Sequence, residues 1–160
     1  MKATAPAIAE IFESLTDHSP FGIFHTDAQG LCTYCNRTWT RISGQSTHDA
    51  LGQGWAKMIH PDDLERVTRE WQRTYASRSK GSDITFRLRL GDGSVRHVRA
   101  GVRRLPAPHD QAAGYAGFVA DITDQVEAER RLIEKNLLLN AILSSIPCGV
   151  AVWDADGKLL

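Results

Sequence analysis

No apolar run in this chain approaches the roughly 20 residues that a membrane-spanning helix needs, so a membrane span is excluded as an organising element. An excess of one charge is lacking too. The 19 basic and 19 acidic residues cancel, which removes the simplest electrostatic case for nucleic acid or an anionic membrane as partner. Cysteine is scarce: Cys32, Cys35 and Cys148 make an odd count, which suits free thiols in a reducing, cytoplasmic protein rather than a disulfide scaffold. Catalytic machinery is missing as well. There are no paired carboxylates in an apolar setting, no phosphate-binding glycine loop and no nucleophile beside a matched base. Gly52-Gln53-Gly54 is too short for a nucleotide loop and precedes no strand–helix unit. The amino terminus is interrupted by Pro6, Glu10 and Glu13, so it does not read as a secretory signal. What the chain does have is a 42% hydrophobic share in 160 residues, enough for one ordinary core plus extras.

It also repeats itself. Pro20, Gly22, Asp27, Ala28 and Gly30 recur in register as Pro147, Gly149, Asp154, Ala155 and Gly157, offset by 127 positions. One module therefore ends near Ile122, and a second copy begins near Pro147 and is cut off at Leu160. The expected organisation is an amino-terminal amphipathic helix over 1–18, a domain over 19–122, a connector helix over 123–146 and the start of a second domain over 147–160. Any effector would lie beyond that end.

Within the first module, Ile8, Ile11, Phe12 and Leu15 sit at helical spacing, a face expected to dock on the domain or on a partner copy. Gly22–Thr26 and Leu31–Cys35 read as a hairpin around the turn Asp27-Ala28-Gln29-Gly30. Asn36 is placed to cap a short helix that Gly44 stops, and Asp49–Leu51 forms a single turn ended by Gly52. Pro61 fits the first position of a longer helix, with Asp62 and Asp63 at its positive end. Leu64, Val67, Trp71 and Tyr75 form the apolar stripe expected on that helix. Ile84, Phe86, Leu88 and Leu90 alternate with polar residues, as do Val98, Ala100 and Val102 across the turn Gly91-Asp92-Gly93-Ser94. Tyr115–Ala120 is a last strand. Strands at both ends with helices between them argue an α+β fold with an antiparallel sheet.

These residues resemble a PAS domain over about Ser19 to Asp124. The resemblance rests on Gly22-Ile23, Asp27 to Gly30, Asn36, Gly44, Gly52, Trp55, Ile59-His60-Pro61-Asp62-Asp63, Val67, Gly91 to Ser94 and Asp121-Ile122-Thr123-Asp124, in that order. The His-Pro-Asp-Asp helix start marks a subgroup, in which His97 stands where Trp is frequent. The resemblance implies a five-stranded antiparallel sheet with helices on one face. It also implies a sensory or dimerising unit upstream of a histidine kinase, a diguanylate cyclase or a similar effector.

His25, Trp39, Trp55, Met58, Trp71 and Phe86 are the candidate ligand-pocket residues. The same residues read equally as plain core, which leaves a ligand-free dimerisation or spacer module as the alternative to a sensor. His25 shares a strand face with Ile23, the face expected to meet the cavity, or is simply a buried, hydrogen-bonded histidine. His60 reads as a helix cap before it reads as a ligand. Cys32 and Cys35 lie three apart on a strand, where side chains point to opposite faces. A shared metal or disulfide would need the strand to break there, so both are expected to be free. The arginines at 66, 69 and 73 and at 96, 99, 103 and 104 lack interleaved aromatics and read as solvated faces. No cofactor or metal is expected. Flavin relatives that react with light need a Cys that 36–58 lacks, and haem relatives commonly use a His that 61–76 lacks. A non-covalent flavin, haem or small molecule stays open.

Asp121, Ile122 and Thr123 are the candidate coupling residues, with Thr123 capping the connector helix and Glu127 pairing with Arg131. Ala128, Leu132, Lys135, Leu139, Ile142 and Ile146 step by four and three, a coiled-coil seam apolar everywhere but Lys135. It predicts a parallel homodimer, with packing back on the same domain as the alternative.

Overall fold

The computed structural model describes residues 5–77, 80–106, 114–145, 156 and 158, with side-chain burial given from Glu10 onward. The expected start of a second domain over 147–160, and Ile146 of the seam, lie outside the described residues, apart from 156 and 158. Met1–Thr123 forms one compact unit and Asp124–Leu160 another.

The first unit is α+β, as its strand pattern predicts. α1 (Ala5–Asp17) leads into β1 (Gly22–Thr26) and β2 (Cys32–Cys35), then α2 (Arg37–Ser43), α3 (Thr47–Ala50), a 3-10 turn (Gly54–Met58) and α4 (Pro61–Ala76). β3 (Gly81–Arg89), β4 (Val95–Arg104) and β5 (Tyr115–Asp121) complete one five-stranded sheet in the order β2-β1-β5-β4-β3, antiparallel at every pair.

Local chemistry explains the boundaries. Asn36 Oδ1 accepts from the backbone N–H of Trp39 at 3.1 Å and of Ile23 at 2.9 Å, so one side chain starts α2 and ties it to β1. Its Nδ2 donates to the carbonyl of Thr16 at 2.5 Å, which anchors the end of α1. Gly44 ends α2 at φ 70°, a left-handed position that a side chain rarely adopts. His60 caps α4 as expected, accepting from Asp62 N at 3.4 Å.

The core lies between the sheet and α2–α4. Trp39 and Ile42 of α2, Val67 and Trp71 of α4, and Phe86, Leu88, Val98, Ala100, Val102, Tyr115 and Val119 of the sheet are buried together. The α4 stripe differs from expectation at its two ends, Leu64 being exposed and Tyr75 only partly buried. Leu64 is 41% exposed, whereas Asp63 is buried. The buried face runs Asp63, Val67, Trp71, Thr74, because the ion pair of Asp63 with Arg87 of β3 turns that face inward. α1 touches the domain through its carboxy-terminal end, where Thr16 Oγ1 meets Tyr34 Oη at 2.8 Å and the Phe12 and Tyr34 rings lie 5.7 Å apart. Its expected apolar face does not dock fully on this unit: Ile11, Phe12 and Leu15 are all exposed.

In the second unit, α5 (Thr123–Ser145) is a 23-residue helix with no buried residue, about 34 Å long at 1.5 Å per residue. Leu132, Leu139 and Ile142 of the seam are exposed, with Ile133, Leu137, Leu138 and Leu143 beside them. The expected Glu127–Arg131 ion pair is not formed. Arg131 Nε donates to the Glu127 carbonyl at 3.2 Å, and the ion pair on this helix is Arg130–Glu134 at 2.8 Å.

Candidate functional site

Helices α2 and α4, the 3-10 turn and the concave sheet face enclose one apolar cavity. Its lining is Phe24, Thr26, Cys32, Cys35, Trp39, Trp55, Trp71, Tyr75, Phe86, Ala100 and Val119. The cavity volume is about 30 Å³, room for roughly one water molecule as it stands. Trp55 meets Trp71 edge-on at 6.4 Å, Trp71 stacks on Tyr75 at 6.4 Å, and Tyr75 meets Tyr115 edge-on at 4.7 Å. These are favourable aromatic geometries, so the wall is a self-supporting cluster. Three buried polar atoms of the lining, the indole Nε1 of Trp39, that of Trp71 and the Thr26 Oγ1, have no hydrogen-bond partner among the described residues. Buried polar groups are normally paired, and an orphaned one calls for an explanation. An occupant carrying an acceptor would supply it. Burial pushes the Tyr75 phenol above its ordinary pKa, so it stays a neutral donor in the wall.

Four of the six candidate pocket residues, Trp39, Trp55, Trp71 and Phe86, meet here. Met58 does not line the cavity. It packs on the outside of the core cluster, because the 3-10 turn that carries it presents Trp55 inward instead. His25 is also misplaced by the sequence reading. The inward residues of β1 are Phe24 and Thr26, so His25 faces the other side of the sheet, its Nδ1 2.5 Å from Thr33 Oγ1.

Cysteines 32 and 35 break the alternation rule. β1 pairs Phe24 with Cys35 and His25 with Tyr34, but Thr26 with Cys32, a bulge that leaves Thr33 as an extra residue. The bulge turns Cys32 to the same side as Cys35, and both line the cavity as free, buried thiols. The Cys32 thiol donates to the Tyr34 carbonyl at 3.5 Å and the Cys35 thiol to the Thr47 carbonyl at 3.8 Å, and the neighbouring Cys32 together with burial pushes the Cys35 pKa up. Nothing in the residue types signals a bulge here.

A second constellation lies where the sheet ends. The Ile122 N–H donates to the His97 carbonyl at 2.8 Å, and the His97 N–H donates to Thr123 Oγ1 at 3.0 Å. Asp121 Oδ1 accepts from the Thr123 N–H at 2.9 Å and from its hydroxyl at 2.6 Å. Asp121 thus holds Thr123, which was expected as the cap and is the first residue of α5. Arg96 reaches this junction from β4. Its Nη1 donates to the carbonyls of Arg41 and Ile42 at the end of α2, at 2.6 and 3.0 Å, and its Nε lies 3.8 Å from Asp121. Arg99 and Arg66 are held in ordinary ways, by Asp83 at 3.0 Å and the Thr85 carbonyl at 2.9 Å.

A sequence model of the family described as PAS fold matches residues 16–127. The chain is 31% identical over 152 residues to an uncharacterized protein, y4lL, of Sinorhizobium fredii, covering 95% of this chain and 18% of the relative. Of the curated relatives it matches, the chain spans 18 to 31% of their length. Among solved structures, a sensory box histidine kinase/response regulator from Burkholderia thailandensis superimposes with a TM-score of 0.60 at 21% identity, over 81% of this chain and 98% of that one. The N-terminal domain of a diguanylate cyclase with PAS/PAC sensor from Marinobacter aquaeolei superimposes with a TM-score of 0.60 at 18% identity, over 66% and 97%. At that identity the likeness speaks for the fold.

Proposed function

Because this chain belongs to the PAS family, we propose that it is the sensory input module of a longer signalling protein, with a small ligand held in the aromatic cavity. The observation that carries the reading is the pair of unpartnered indole donors, Trp39 and Trp71, in an apolar wall. They select a compact molecule bearing one or two acceptor atoms, and at about 30 Å³ the cavity admits anything larger than a water only if the aromatic wall opens.

A change in how α2 packs on the cavity has a covalent and hydrogen-bonded route outward. Trp39 and Ile42 sit on α2, its last carbonyls hold Arg96, and Arg96 faces Asp121 at the start of α5. A two-state shift of α2 would bias this junction, which is the physical content of coupling between sites. We infer further that the His-Pro-Asp-Asp subgroup, a second PAS module from about Pro147 and a downstream effector of the histidine kinase or diguanylate cyclase class belong to the full protein. In it the chain itself does no catalysis and α5 pairs with a second copy. No helix among the described residues is long and apolar enough to cross a membrane, and a cytoplasmic setting fits the free thiols.

A filled-core spacer is the second reading, favoured by the contacts among Trp55, Trp71, Tyr75 and Tyr115, which already occupy much of the interior. Native mass spectrometry of freshly purified protein, with thermal-shift screening of small aromatic acceptors, separates the two. A stoichiometric adduct or a ligand-dependent rise in Tm supports the sensor. No adduct and no shift, with Trp39→Phe and Trp71→Phe as stable as wild type, supports the spacer.

A further inference from the structure

An indole nitrogen donates one hydrogen bond and accepts none, so two indoles cannot satisfy each other. Trp39 enters the core on α2, Trp71 on α4 and Thr26 on β1, each more than nine-tenths buried. The two indole Nε1 atoms and the Thr26 Oγ1 have no hydrogen-bond partner among the described residues. The Thr26 hydroxyl also neighbours the Tyr75 phenol, without a well-aligned hydrogen bond to it. All three side chains border the same space of about 30 Å³. A buried water needs roughly 10–15 Å³ and two to four polar partners. Both conditions are met, with one partner supplied by each of three separate elements.

We propose that this space is a single-oxygen site. One ordered water accepts from both indoles and shares a hydrogen bond with the Thr26 hydroxyl, tying α2, α4 and β1 together. A ligand enters by putting a neutral hydroxyl or carbonyl oxygen in that water's place. This second half rests on the sensory reading above, whereas the water site stands without it. The chemistry of the walls fixes the class. An ammonium group only donates, so it would leave both indoles unpaired. A carboxylate accepts, but among the described residues the lining carries no Lys, Arg or His to offset its burial. A hydrocarbon offers no acceptor. A neutral oxygen takes both indole donors on its lone pairs and brings no charge into an apolar core. Any carbon attached to that oxygen needs further room. Trp55 is the wall residue placed to yield it, being only half-buried, on a 3-10 turn that has no buried residue and no side-chain cap.

The test starts with a crystal structure of the whole chain, purified without added ligand and resolved finely enough to place waters. The expected result is one density peak within hydrogen-bond distance of Trp39 Nε1, Trp71 Nε1 and Thr26 Oγ1. No peak there, or indoles bonded to protein groups instead, overturns the water site. Replacement is read by calorimetric titration of four probes of matched ring size: acetophenone, ethylbenzene, benzoate and benzylammonium. Acetophenone should bind about tenfold or more tighter than the other three, because only it pairs the indoles without burying a charge. Trp39→Phe and Trp71→Phe should each weaken its binding about fivefold, the worth of one neutral hydrogen bond. Benzoate or benzylammonium binding as tightly as acetophenone overturns the oxygen class and leaves the sensory reading standing. If none of the four binds while the water is seen, the replacement falls with the sensory reading and the water site stands. The wild-type density and the probe series decide even if a Trp variant fails to fold.

Discussion

Asp63 and Arg87 grip each other through three hydrogen bonds. Asp63 Oδ2 accepts from the Arg87 backbone N–H at 2.8 Å and from its Nε at 3.0 Å, and Oδ1 accepts from Nη2 at 3.0 Å. The His60 N–H returns a bond to the Arg87 carbonyl at 2.8 Å, so the start of α4 is riveted to β3. Arg87 holds the Asp63 carboxyl at a pKa of about 2, down from 3.8. The folded-state value is depressed, so this stabilisation is full above about pH 4 and is lost as pH falls toward 2. The shift corresponds to about 2 kcal/mol. Asp63→Asn should therefore lower stability by that order at neutral pH. Urea midpoints measured near pH 7 and near pH 2 check it: the gap between variant and wild type should narrow in acid. An equal gap at both would mean that packing, not charge, holds the contact.

Trp71 is 5% exposed and sits between the rings of Trp55 and Tyr75. Truncating it removes the middle of the cluster, and large-to-small aromatic changes in cores cost about 3–5 kcal/mol. Trp71→Ala should lose that much in a denaturant titration. A midpoint near wild type would show a wall already loose enough to dispense with it.

Freshly purified protein should carry no near-stoichiometric flavin or haem. Residues 36–58 offer no Cys and 61–76 no His for the usual attachments, and the cavity's unpartnered groups are the indole donors of Trp39 and Trp71 and the Thr26 hydroxyl. A visible spectrum decides this, and a strong flavin or Soret band would refute it.

How far the sequence foretold these features follows from the range of the forces involved. Period-two alternation in β3 and β4, the caps at Asn36 and His60 and the stop at Gly44 are local effects, and they were legible. Cys32, His25 and Leu64 were not. The bulge that rotates Cys32 inward is set by how β2 pairs with β1 against the bridge from Cys32 to Gly52. The phase of β1 follows the packing of Gly22 on Trp39, where an added Cβ would lie 3.2 Å from a backbone atom. Leu64 yields the buried position to Asp63 because a partner 24 residues later compensates the charge. Each is a tertiary decision overriding a local pattern.

The central claim is that this module passes its state through paired α5 helices. Leu132, Leu139 and Ile142 are 60, 53 and 50% exposed, a concentration of apolar side chains that soluble chains tend to cover. Leu132→Asp with Leu139→Asp would place charges on the seam of a parallel pair. Analytical ultracentrifugation over a concentration series is the most direct test. The wild type should sediment as a dimer, and the double variant should stay at monomer mass to markedly higher concentration. A wild type that stays monomeric at high concentration, or a double variant that pairs as tightly as wild type, contradicts it.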